Sequence, residues 1–136
     1  MTGPSETFIG SRIHRLVARQ FWLDGELISS NVPVFIEDID GICWKLWFDD
    51  EEWVWGIERS EEACPGLGSE LGDITFRYKH VEPSGAQHLV NQKVISFDVR
   101  DTADYVEASI LTATANLTAR FWFQTEIRDL AIRRLD

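Results

Sequence analysis

Ten carboxylates fall between residues 37 and 62: Glu37, Asp38, Asp40, Asp49, Asp50, Glu51, Glu52, Glu58, Glu61 and Glu62. Four of them are consecutive, and four tryptophans surround them in WKLWFDDEEWVWG, residues 44–56. Carboxylates at this density could bind a cation, act as a general acid and base, or present a negative surface to a basic partner. Asp38, Asp40, Asp49 and Asp50 lack the alternating spacing of a calcium loop. A glycosidase pair could be drawn from so many acids, but no spacing selects one. His80 and His88 flank VEPSGAQ and would join Glu82 at a metal only if that loop folded back on itself. The chain has no Gly-rich phosphate loop and no HExxH, GxSxG or CxxC motif. We therefore expect no catalytic residue, no metal and no cofactor.

The carboxylates must be positioned by strands. Residues 42–48 (ICWKLWF) alternate, with Ile42, Trp44, Leu46 and Phe48 on one face and Cys43, Lys45 and Trp47 on the other. Residues 53–57 (WVWGI) alternate as well. Joining the two through Asp49–Glu52 as a four-residue loop sets Phe48 opposite Trp53, Leu46 opposite Trp55 and Trp44 opposite Ile57. Such cross-strand apolar pairs stabilise a sheet. Asp24-Gly25 and Asp40-Gly41 are further hairpin signals. Residues 8–22 fit either a helical stripe or a strand.

Sliding the chain by 75 residues sets 34–59 on 109–134 without a gap, with Trp47 on Trp122, Phe48 on Phe123 and Ile57 on Ile132. Residues 8–19 likewise resemble 89–100. Self-similarity of this kind marks a duplicated unit, and it tips residues 12–22 toward strand. The expected fold is all-β: one domain over 1–136, either an antiparallel barrel or a two-sheet sandwich. It is built from two pseudo-repeated four-stranded meanders, about 8–59 and 89–134. A connector spans 60–88, with an extra strand at 73–81. The expected strands are 12–22, 26–37, 42–48 and 53–59, then 92–99, 105–113, 117–124 and 129–134.

The aligned copies differ in charge. Residues 37–59 hold eight acids and two bases, whereas 112–134 hold two acids and four bases. A scaffold that manages without the acids in one copy does not need them in the other. Asp49, Asp50, Glu51 and Glu52, with Glu37, Asp38 and Asp40 as neighbours and Trp47 as aromatic anchor, are thus the expected partner-binding residues. The partner would be a basic protein, captured as immunity or inhibitor proteins capture theirs. A small-molecule or carbohydrate binder with a tryptophan-lined β cavity or face is the alternative. The net charge of −10 argues against nucleic acid and anionic membranes. With neither a leader nor an apolar span legible, a cytoplasmic location is expected. There Cys43 and Cys64 would be free thiols.

Overall fold

The computed structural model describes residues 7–29 and 33–135. Its strands are β1 (Ile13–Leu23), β2 (Glu26–Ser29), β3 (Val34–Asp38), β4 (Cys43–Asp49), β5 (Val54–Arg59), β6 (Glu70–Gly72) and β7 (Phe76–Val81). After a 3-10 turn at Ala86–His88 come β8 (Ser96–Asp101), β9 (Tyr105–Leu111), β10 (Ala115–Trp122) and β11 (Arg128–Arg134). They form two antiparallel sheets. One has seven strands in the order β5-β4-β3-β1-β7-β6, with β2 also on β1. The other has four, β11-β10-β9-β8. The all-β expectation holds, and of the two architectures it left open the structure has two sheets and no closed barrel. No helix among the described residues is long and apolar enough to cross a membrane.

The ambiguous segment 12–22 is strand. β1 is long enough to carry two neighbours in succession on one side. Residues 13–18 pair with β3, residues 21–23 pair with β2, and β7 runs along the other side of 18–23. The expected single strand 26–37 is therefore two strands, and residues 30–32 between them lie outside the described residues. The segment at 73–81 does not link two units. It pairs with β1 inside the larger sheet, and β6 lies beyond it.

Alternation built the core as expected. Leu16, Ile36, Trp44, Leu46, Phe48, Trp55 and Ile57 face Val106, Ala108, Ile110, Leu117, Ala119 and Phe121 in one buried cluster between the sheets. The hairpin register differs. Phe48 pairs with Trp55, Leu46 with Ile57 and Trp44 with Arg59. The loop is thus residues 50–53, and Trp53 turns the corner at φ 56°. The hairpin of β10 and β11 is built alike: Glu126 N donates to Trp122 O as Trp53 N does to Asp49 O, and Glu126 closes the loop at φ 58°. Matching the two loops sets Trp53 on Glu126, an offset of 73 residues rather than 75. The 75-residue alignment is therefore two residues out of the paired register, and a duplication is not shown. Residues 8–19 and 89–100, alike in sequence, instead run side by side where Arg12 bridges Lys93.

Residues 60–69 cross the outer face of the larger sheet as a strap. Cys64 is disulfide-bonded to Cys43 of β4, which corrects the expectation of free thiols. The pairing joins residues 21 positions apart, with Cα atoms 5.4 Å apart, a proximity that only the strap's path creates. Beneath it lies a second small cluster of Val17, Phe35 and Cys43. Arg15 donates to Pro65 O at 2.8 Å and Cys64 O at 3.3 Å. A disulfide is at odds with a reducing compartment, so it lends no support to a cytoplasmic location.

Because the main cluster does not include the disulfide, reduction should leave the sandwich folded. Closing a loop of this length contributes about 3 kcal/mol. Chemical denaturation with and without reductant should show a lower midpoint in reductant, with strand circular dichroism retained.

Candidate functional site

The predicted acids do not form one surface. Glu37, Asp38 and Asp40 sit at the β3–β4 turn, and Asp49–Glu52 at the β4–β5 tip. The seven residues of β4 separate them, about 20 Å at roughly 3.3 Å per residue. No group of three or more His, Cys, Asp or Glu side chains among the described residues is arranged to hold a metal ion.

At the β3–β4 turn the acids serve the fold. Asp38 is only 4% exposed. Its Oδ1 accepts from the backbone N–H of Asp40 (2.9 Å) and Ile42 (3.0 Å), and its Oδ2 from Trp44 Nε1 (3.2 Å). An aspartate before a glycine-containing turn caps that turn, and Gly41 supplies the positive φ, 83°. Glu37 pairs with Arg15 Nε at 3.0 Å. Asp40 alone of the three is exposed without an ion pair among the described residues.

The β4–β5 tip is organised differently. Asp49 Oδ1 accepts from Glu51 N (2.9 Å) and Glu52 N (3.2 Å), and Asp49 O accepts from Trp53 N (2.8 Å). Asp50 pairs with Arg128 of β11, so the tip is tied to the other sheet. The Arg128 guanidinium lies over Phe48 (5.6 Å) and Phe121 (5.2 Å). Trp53 packs edge-on against Phe121 at 5.1 Å, while remaining 45% exposed. A shallow cleft of about 250 Å³ opens between Asp50, Trp53, Phe121, Glu126 and Arg128. Glu51 and Glu52 project from this braced loop with no ion pair among the described residues.

Trp47 is half-buried. Its indole lies across Gly56, where an added Cβ would come within 3.2 Å of Nε1. The tryptophan exposed beside the acids is Trp53, which alternation alone had placed in a strand. Trp44 and Trp55 are each 2% exposed, and Trp44 contributes to the lining of a pocket of about 500 Å³ beside Asp38, Asp40, Ile42, Arg59 and Lys93. Trp122 is half-buried and donates to Asp129 Oδ2 at 3.0 Å. Next to Trp47 on the outer face, Lys45, Glu58, Arg59, Ser60, Glu61 and Glu62 line a groove of about 460 Å³ beside the strap. Glu62 is engaged by Arg19 at 3.3 Å.

Among the described residues, Ser69 Oγ lies 2.9 Å from His80 Nδ1. The pair is not wired for nucleophilic catalysis. Arg19 Nε donates to His80 Nε2 at 3.0 Å, so the ring proton sits on Nδ1, facing Ser69 O at 2.9 Å. A histidine already protonated toward the serine cannot accept its proton. On the smaller sheet, buried Glu107 is held by Arg120 (2.7 Å) and Arg100 (3.4 Å). The hydrogen bond to Glu107 raises the Arg120 pKa.

Asp73, in the β6–β7 turn, accepts from Phe76 N and Thr75 N, and these bonds lower its pKa. The bonds therefore support the turn above the ordinary aspartate value and are lost as pH falls through the depressed one. An NMR titration of the Asp73 carboxyl should give a midpoint below 3.8. The chain matches no protein family model, and neither curated proteins nor solved structures match it.

The two kinds of acid should respond differently to substitution. Asp38→Ala strands three donors in a buried turn and should cost about 2–3 kcal/mol. Glu51→Gln with Glu52→Gln should stay within about 0.5 kcal/mol of the parent, as exposed sites do. Denaturant unfolding of both variants checks the contrast.

Proposed function

We propose that the protein is a non-enzymatic binding module that captures a basic protein partner through the β4–β5 tip. The observation that carries the reading is the division of labour among the four acids. Asp49 and Asp50 hold the loop, the first by capping its amides and the second by pairing with Arg128. Glu51 and Glu52 are left exposed and uncompensated beside a half-exposed Trp53. A loop backbone fixed in advance loses little loop entropy on binding. Their charge steers a basic partner, and an aromatic anchor at such a rim supplies the short-range energy. Trp53 takes the anchoring role expected of Trp47, whose ring is occupied by Gly56. An inhibitor- or immunity-type role fits this chemistry. Asp40, Glu58 and Glu61, all exposed and without ion pairs among the described residues, extend the negative field along the sheet's rim.

The test is affinity capture from native-host lysate at low and high salt, using the wild type, Glu51→Gln/Glu52→Gln, and Trp53→Ala. The reading expects a basic protein retained by wild type, released by salt, and lost from both variants. Equal capture by all three chains would remove the tip from the interaction.

A further inference from the structure

The strap covers the outer face of the larger sheet only as far as Arg19 and His80, where Gly68 N donates to His80 O at 2.8 Å. On the same face, the next two cross-strand pairs outward are Phe21–Tyr78 and Leu23–Phe76. Leu71 of β6 pairs beside Tyr78. Paired residues of antiparallel strands share a face, so these five side chains form one apolar shelf. Phe21 and Tyr78 meet at 5.3 Å with rings tilted by 33°, and Phe76 meets Tyr78 edge-on at 6.1 Å. Arg19 reaches over the inner edge of the shelf, 5.7 Å from the Tyr78 ring centroid, whereas its outer part is open: Leu71 is 54% exposed, Phe76 41% and Leu23 40%. A contiguous apolar face of this kind on a soluble domain marks an interaction surface.

The end of the shelf is acidic. The β1–β2 and β6–β7 turns lie side by side, with Asp24 N donating to Thr75 O at 2.7 Å. They place Asp24, Glu26 and Asp73 along the rim, and none of the three has an ion pair among the described residues. The turn is rigid. Asp73 caps it, and a Cβ on Gly72 would sit 2.3 Å from Phe76 O. The cations of this arm, Arg77 and Lys79, pair with Glu70 on the opposite face.

We infer that this shelf docks a basic amphipathic segment of a partner protein. Its apolar side chains would seat on Leu71, Phe76 and Tyr78, and its lysines or arginines would meet Asp24, Glu26 and Asp73. The charge of the rim decides the occupant: a second copy would set acid against acid, and an anionic membrane would repel the turns. The inference rests on the reading of the protein as a capture module for a basic partner, and adds a second contact remote from the β4–β5 tip.

The probe is a short fluorescent peptide with leucine and lysine at helical spacing, beside its glutamate-for-lysine counterpart, followed by fluorescence polarisation. Wild type should bind the lysine peptide and not the glutamate one. Leu71→Ser/Phe76→Ser keeps the net charge and should weaken binding about tenfold, the loss expected for two apolar anchors. Asp24→Asn/Glu26→Gln should weaken it and flatten its salt dependence. Glu51→Gln/Glu52→Gln, the tip variant, separates the two sites: in it, binding should still depend on Leu71 and Phe76. Circular dichroism checks that each variant is folded. Binding that survives the shelf variant but is lost in the tip variant would overturn the inference and leave the capture reading standing. Failure of wild type to bind, or equal binding of both peptides, would also overturn the shelf, whereas the capture reading is decided by the lysate experiment alone.

Discussion

Trp55 reaches across the sandwich and donates its indole N–H to Val106 O at 2.8 Å. Beside it Phe48 stacks on Phe121, with centroids 4.2 Å apart and planes 9° from parallel. Among the described residues no strand of one sheet pairs with a strand of the other, so their relative placement rests on this contact and the apolar layer around it, helped by the backbone bridge at Arg12 and Lys93. A buried indole N–H needs a partner, and Val106 O supplies one from the opposite sheet. With the sheets fixed in this way, the β4–β5 and β10–β11 tips fall next to each other. Arg128 can then lie over both phenylalanines and still reach Asp50. The shape of the acidic tip is thus a consequence of core packing.

The same placement sorts the carboxylates. Asp38, Asp49 and Asp73 cap turns. Glu37, Asp50, Glu62 and Glu107 answer arginines. The net charge of −10 is therefore not one patch with one purpose. What projects without compensation is limited to particular places, among them Glu51 and Glu52 on a loop closed by Trp53, and Asp24 and Glu26 at the far end of the arm. Exposed carboxylates on a preorganised loop are available to a partner in a way that turn-capping ones are not.

The all-β class, the inward face of β4 and the turns at Asp24-Gly25 and Asp40-Gly41 were legible in the sequence, because alternation and turn chemistry are local; the choice between a closed barrel and two open sheets was not. The register of β4 on β5 was not. A loop at 49–52 and one at 50–53 keep the same residues on the same face, so alternation cannot choose between them. The choice falls to the Asp49 caps and to Trp53 packing on the other sheet. Offsets of 75 and 73 residues preserve facing equally well, which is why the aligned segments looked equivalent while the paired residues were not. Asp38 read as surface charge because its burial depends on Trp44 folding over it. The disulfide was hidden because nothing local shows a strap returning across β4. Asp50–Glu52 stand at the tip as read, but the cross-sheet partner of Asp50, Arg128, lay 78 residues away.

The β4–β5 tip is held in place by the opposite sheet and so presents Glu51, Glu52 and Trp53 on a fixed loop. Hydrogen–deuterium exchange of the Glu51, Glu52 and Trp53 amides in wild type and Arg128→Met tests it most directly. The account expects these amides to be protected in wild type and to lose protection in the variant, with β9 and β10 unchanged. Tip amides that exchange as fast as an open loop in wild type would contradict it.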